Sequence, residues 1–388
     1  MPAAIWFVPL SLLTLTAVAP AQVRFPEKTT FGNRAALVLE NDLLELTIMA
    51  EGGAFARLVR KDDSEKLSPL WDPAGAARTA RRKNTFGSSL GHFVCVDGFG
   101  APSPEERTAG YPGHGEAHVR PWEVLSASKS GGIATVTFSV DLPLAHEVFT
   151  RTIRIADGEH VVQVQSSLES RLAFDRVFSW TEHATIGTPF LEPEDTLVDL
   201  PAKRAMTRPA PPAAGGRRRL APGREFTWPN APSAGGGEVD LRSTPQPSGT
   251  GDIVTVLLEP AREHAFVTAL HPARGLVFGY LFPTSDFPWL QIWESYPERG
   301  MMARGLEFGT QPFGQGRRLT VDLHSLLGAP TYRWLPAMSK VDTRFLMFYA
   351  ETPPGFGRVD DVWLEKGKLT LLDRRAGKRL VLPARLGL

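Results

Sequence analysis

Gly, Pro and Asp punctuate this chain at short intervals, and the runs between them are rich in β-branched and aromatic residues, with few stretches long enough to sustain a helical period. Residues 37–49, 134–140, 147–155 and 160–168 are the clearest. Thr150, Thr152 and Arg154 interleave with Phe149, Arg151, Ile153 and Ile155, while Val161, Gln163 and Gln165 interleave with Val162, Val164 and Ser166. Period-two patterning of this kind predicts adjacent strands, and Asp157-Gly158 between them supplies a hairpin turn. The pattern continues at 253–258, 276–282, 319–323, 344–349, 368–372 and 379–382. The expected fold class is mostly β, built from antiparallel strands.

Composition limits what such a fold can do. Hydrophobic residues make up 42% of 388, with nine Trp and 22 Phe, enough for a large buried core. Basic and acidic residues number 43 and 42, leaving a formal charge of +1 and no basic excess for a nucleic-acid backbone. Met1 to Ala21 carries an uncharged apolar run over 3–19, then the small-x-small sites Ala17-Val18-Ala19 and Ala19-Pro20-Ala21. It reads as a signal peptide (1–21) cleaved near Ala21, which predicts a periplasmic or secreted protein. The same run is only marginally long enough to remain as an uncleaved membrane anchor. Cys95, the only cysteine, has no partner for an internal disulfide and lies between Val94 and Val96 as a small buried residue.

Residues 22–388 read as one β domain with a single interruption. The segment 201–251 is rich in Pro, Gly and Ala, includes Arg217-Arg218-Arg219, and is expected to be a long loop over a binding site or a mobile flap, with a linker between two domains as the alternative. The arginine run reads as a solvated loop face, with an acidic sugar as the alternative partner.

Two short motifs suggest chemistry that their contexts do not support. Gly87-Ser88-Ser89-Leu90-Gly91 fits the G-x-S-x-G pattern of a hydrolase elbow, but polar Arg81-Arg82-Lys83-Asn84 precedes it and a β-favouring run follows. His114-Gly115-Glu116-Ala117-His118 resembles a ligand cluster, yet on an extended strand the two histidines would stand about 13 Å apart. A polar face lining a cleft fits that spacing better than one metal ion, whose ligand bonds are about 2 Å.

The remaining informative segments are Phe178-Ser179-Trp180-Thr181-Glu182-His183-Ala184-Thr185, Leu290-Gln291-Ile292-Trp293-Glu294 and Gly305-Leu306-Glu307. On a strand His183 shares a face with Thr181 and Thr185. In order, Leu39-Glu40-Asn41-Asp42, Gly52-Gly53-Ala54, His114-Gly115, His183 ahead of Pro189-Phe190, and Gly305-Leu306-Glu307 resemble the motifs of galactose mutarotases and aldose 1-epimerases over roughly 36–354. The resemblance implies a large antiparallel β-sandwich, the galactose mutarotase-like supersandwich, with an open sugar groove on one concave face.

That resemblance also implies roles. Glu307 would be the general base, His183 the general acid, and His114 a sugar-holding residue. That family's Asn-Arg segment is not recognisable here, and Arg81, Arg82 and His92 lie in the comparable region; Glu263-His264-Ala265-Phe266 is similar to its Asp-His-Ala-Phe element, with Glu for Asp. Trp293 is either a platform for the apolar face of a pyranose or a core aromatic. The implied activity is interconversion of the anomers of a free sugar, with a small-molecule carbohydrate as partner and no cofactor or metal. A carbohydrate-binding protein of the same fold is the alternative. Acid and base are expected on opposite sides of the anomeric centre, with the sugar ring between them.

Overall fold

The computed structural model describes residues 27–75, 89–209 and 217–388. Arg82 and the 1–21 segment lie outside them. Two large antiparallel sheets, of eleven and eight strands, face each other across a shared apolar core. The strand Glu147–Ala156 shows why. Its burial alternates residue by residue as its sequence does, placing Phe149 and Ile153 inside. Phe308 of the first sheet meets Tyr280 and Phe345 of the second, at ring separations of 5.3 and 5.4 Å. The expected mostly-β sandwich is the architecture found.

Three expectations about elements need correction. The 37–49 run is not one strand but two, Arg34–Glu40 and Leu44–Met49. Asn41 makes the turn, its Oδ1 accepting from the Leu43 and Leu44 amides at 2.9 and 2.6 Å. Its Nδ2 donates to the Ala156 and Glu159 carbonyls on either side of the Asp157-Gly158 turn, tying one sheet to the other. The β-favouring 319–323 run lies instead in the helix Arg317–Leu323, which buries Thr320 and aligns Arg318 with Asp322 one turn on at 3.5 Å. Tertiary placement overrides so short a local preference.

The 201–251 excursion is only partly a loop. Ala202–Thr207 joins the large sheet beside Thr250–Leu258, and Glu225–Thr227, Asn230–Pro232 and Glu238–Asp240 form further short strands. Nor is the arginine run uniformly solvated. Arg217 is an exposed partner of Glu298, but Arg219 reaches the buried Glu294 at 2.7 Å and lies over the Tyr296 ring. A three-stranded sheet, Asp361–Glu365, Lys368–Asp373 and Lys378–Pro383, packs Val362, Leu369 and Leu371 onto Val161, Phe266 and Phe348 of the eight-stranded sheet.

Candidate active site

Strand register assembles the site. On the large sheet His92–Val96, Trp180–Gly187, Ala303–Gly309, Trp289–Tyr296, Thr250–Leu258 and Ala202–Thr207 lie side by side. His183 is paired with Phe93, Glu307 with Gln291, Gln291 with Thr255, and Thr255 with Met206. Pairing of Glu182 with Phe308 and of Thr185 with Gly305 sets His183 opposite Glu307. One row therefore crosses six strands on the face turned away from the second sheet, with Phe93, His183, Glu307, Gln291, Thr255 and Met206 in line. Alternation sends Trp180, Ala184, Leu306, Leu290, Ile292, Val254 and Val256 into the sandwich core behind it.

His183 and Glu307 touch. Nε2 of the imidazole stands 3.3 Å from Oε1 of the carboxyl. The expectation that a sugar ring fits between them is corrected, because directly opposed residues on neighbouring strands have Cβ atoms only about 5 Å apart. A ring has to lie over the pair. The imidazole is stacked on Phe93 at 4.2 Å and 19°, an arrangement worth about 1 kcal/mol beyond burial, and its Nδ1 meets Thr185 Oγ1 at 3.3 Å.

Glu307 is held by two features that sequence reasoning missed. Gln291 Nε2 donates to Glu307 Oε2 at 2.5 Å, while Gln291 Oε1 accepts from the Gly314 amide at 3.0 Å, which fixes the amide's orientation. Gly305 leaves the space into which the carboxyl folds, since a Cβ there would lie 2.2 Å from Oε1. The usable signal was the alternation in Leu290-Gln291-Ile292-Trp293, which puts a lone amide on the polar face of a strand. Gly two residues before Glu on one strand face is the other.

Burial sets the protonation states. Glu307 is 1% exposed, and desolvation raises its carboxyl to about 8 against the pull of the Gln291 hydrogen bond and the Arg208 charge. Desolvation holds His183 well below the usual histidine range, with His114 and His118 adding to the effect. At neutral pH the pair is thus uncharged, with one proton on Glu307 and a free acceptor on His183. Glu307 Oε1 has no aligned hydrogen bond, and the hydroxyls of Thr181 and Thr255, on the same face, also lack partners among the described residues. Buried polar atoms left open on one face mark a place for water or a hydroxyl-rich ligand.

His114 and His118 come closer than an extended strand allows. His114 sits in a turn at φ 65°, followed by the single 3₁₀ turn Ala117–Val119, and the two rings are 5.8 Å apart. Gly52, at φ 80°, lets this segment approach the sheet, because a Cβ there would lie 2.2 Å from the His118 carbonyl oxygen. His114 meets His183 edge-on at 5.0 Å and accepts from the Gly100 amide at Nδ1, so its own proton sits on Nε2. Burial lowers His114 to about 3 and His118 to about 4, keeping both neutral. Among the described residues no group of three or more His, Cys, Asp or Glu side chains is placed to hold a metal ion. Cys95 is fully buried on this face, and burial pushes its thiol up.

The other expected residues divide. Trp293 lies on the outer face, opposite Gly305 and 5.6 Å from the Trp71 ring, half-buried. His92 points the other way, since it is one residue from Phe93 on a strand. It is fully buried between the sheets, with Nε2 2.8 Å from Glu182 and Nδ1 3.0 Å from the Tyr280 hydroxyl. The substrate-binding role expected of it is therefore not available. Glu263 is exposed in the turn before His264–His271, a strand of the eight-stranded sheet, and does not join the row either. Ser89 lies in coil ahead of His92–Val96, so the strand-turn-helix of a hydrolase elbow does not form there. Gly87 and Ser88 lie outside the described residues.

No family model matches the sequence, and no curated protein matches it. Solved structures match the fold. A galactose mutarotase-like protein from Clostridium acetobutylicum aligns over 84% of this chain and 98% of its own, with TM-score 0.58 and 12% identity. Another from Lactobacillus casei aligns over 81% and 100%, with TM-score 0.52 and 17% identity. A galactose mutarotase related enzyme from Lactobacillus acidophilus aligns over 85% and 100%, with TM-score 0.54 and 14% identity. The eleven- and eight-stranded sandwich of this protein, with His183 and Glu307 on one outer face, has the galactose mutarotase-like fold.

Proposed function

We propose that the protein is a mutarotase of the aldose 1-epimerase type, opening and reclosing the ring of a free sugar. The contact between His183 and Glu307 carries this reading, because it brings a proton donor and a proton acceptor together on one face. The two sugar oxygens that exchange protons, the ring oxygen and the C1 hydroxyl, are bonded to the same carbon. Adjacent groups beneath the ring serve them better than groups on opposite sides. One side chain protonates the ring oxygen while the other takes the C1 hydroxyl proton, the bond from C1 to the ring oxygen breaks, and an aldehyde results. Rotation about the C1–C2 bond and closure with the roles exchanged give the other anomer. The reaction needs the pair to hold one proton, whichever side chain carries it at rest.

His114, with its Nε2 proton, is suited to donate to a sugar hydroxyl, and Trp293 offers its ring to the apolar face of a pyranose. The competing reading is a carbohydrate-binding protein without catalysis, favoured by the burial of Glu307, which leaves little of the carboxyl open to a ligand. Polarimetry on freshly dissolved α-anomers separates the two. Glu307→Gln is expected to reduce the enzymatic rate by about 100-fold or more, the loss typical of a positioned general acid-base group. Sugar binding without acceleration by the wild-type protein overturns the mutarotase reading.

We also infer export, on the apolar run at 3–19 and the cleavage sites that follow. N-terminal sequencing of periplasmic or secreted material is expected to begin near Gln22. Intact Met1 in a cytoplasmic fraction overturns that inference.

A further inference from the structure

Arg208 directly follows the strand Ala202–Thr207, and its amide donates to the Ile253 carbonyl at 2.9 Å. Ile253 pairs with Trp293, and Trp293 with Gly305, so Arg208 stands in the row next to that of Glu307 on the same outer face. Its guanidinium is half-buried and donates from Nη2 to the Gly314 carbonyl at 2.8 Å. Gly314 is also the residue whose amide holds Gln291, the partner of Glu307. The arginine is thus anchored to the peptide that orients the candidate catalytic carboxyl.

Among the described residues Arg208 makes no ion pair, whereas the buried or half-buried Arg151, Arg176, Arg219 and Arg242 pair with Glu182, Asp97, Glu294 and Asp199. Glu307 is the acid whose charge it feels, but burial keeps that group protonated near neutrality. Arg218, from the 201–251 excursion, adds a second positive charge that Arg208 feels. A partly desolvated guanidinium without an ion-pair partner among the described residues is unfavourable unless something anionic visits.

Building on the reading that the His183–Glu307 pair opens a sugar ring, we propose that Arg208 selects a substrate bearing a carboxylate, so that the sugar is a uronic acid. In a pyranuronic acid the carboxylate is attached to C5, the neighbour of the ring oxygen. With C1 and the ring oxygen over Glu307 and His183, the carboxylate falls within the neighbouring row. The planar guanidinium, with one nitrogen already anchored, presents its remaining N–H groups as a fork for one carboxylate of single charge. A phosphate dianion would call for more donors than this single fork.

The test compares glucuronate and galacturonate with glucose, galactose and glucose 6-phosphate, using the full chain and its Arg208→Gln and Arg208→Lys variants. Anomer exchange is followed by polarimetry and NMR, and binding by titration calorimetry. The wild type is expected to favour uronates over the matching neutral sugars at least 10-fold in specificity. Arg208→Gln is expected to bring that ratio close to one, with Arg208→Lys intermediate. A ratio that survives Arg208→Gln, faster turnover of neutral sugars, or preference for the phosphate overturns the proposal. Uronate binding that depends on Arg208 without acceleration of any sugar leaves the anion site standing and removes the mutarotase reading. Absence of both uronate binding and uronate turnover removes the anion site itself.

Discussion

Replacing Glu307 by Gln should change how the fold responds to pH, and the size of the change follows from burial. The carboxyl has an ordinary value of 4.5 and is raised to about 8 in the folded protein, where the side chain is 1% exposed. The folded state therefore binds this proton more tightly than the unfolded chain does. Its contribution to stability is full below about 4.5 and is lost progressively as pH rises through about 8. At about 1.4 kcal/mol per pH unit, the span corresponds to a loss on the order of 5 kcal/mol between those limits. Gln at this position keeps the shape and cannot ionise. Urea denaturation of wild type and Glu307→Gln at intervals from pH 5 to 9 should show the variant losing markedly less stability across that window. His183, whose proton affinity is lowered by burial, acts in the opposite sense: its contribution is lost as pH falls below about 6.5, and it is common to both proteins. Two stability curves that run parallel from pH 5 to 9 would refute the argument that burial holds the Glu307 proton.

Gly305→Ala places a Cβ 2.2 Å from Glu307 Oε1, so polarimetry is expected to show turnover slowed by about an order of magnitude or more, with overpacking of about 1–3 kcal/mol visible as a lower Tm. Gln291→Leu removes a hydrogen bond that favours the ionised carboxyl. It should move the alkaline limb of the pH–rate profile, expected near 8 in wild type, upward by about one to two units, since a bond to a charged group is worth about 1.5–3 kcal/mol. His92→Leu leaves Glu182 one partner short inside the core and should cost about 1–3 kcal/mol in chemical denaturation while the KM for sugar stays unchanged.

Local pattern was enough for the class of fold. Residues 147–155 and 160–168 alternate with period two around Asp157-Gly158, and the strands Glu147–Ala156 and Val161–Ser170 pair in the register that this turn implies. Alternation also separated the two faces of 180–186 before any partner strand was known, which placed His183 among Thr181 and Thr185 and sent Trp180 and Ala184 inward. What failed had the same physical origin. Ala202–Thr207 carries little β preference and is a strand because Thr250–Leu258 offers it an edge, while 319–323 favours strand and is nevertheless helical, part of Arg317–Leu323.

The site belongs to the second kind of information. Sequence supplied His183 and Glu307 as candidates 124 positions apart, but it could not say which strands would be neighbours. Lateral pairing of His92–Val96, Trp180–Gly187, Ala303–Gly309 and Trp289–Tyr296 decided that Phe93, His183, Glu307 and Gln291 share a row. The same pairing removed His92 from the site, since neighbours on one strand face opposite sides, and left Glu263 in the turn ahead of a strand of the other sheet. Proton affinities were equally out of reach, because they depend on desolvation by residues remote in the chain. A sequence determines the side-chain period of each strand by itself, whereas the order of strands in a sheet, and with it the chemistry of a face, is settled only by packing.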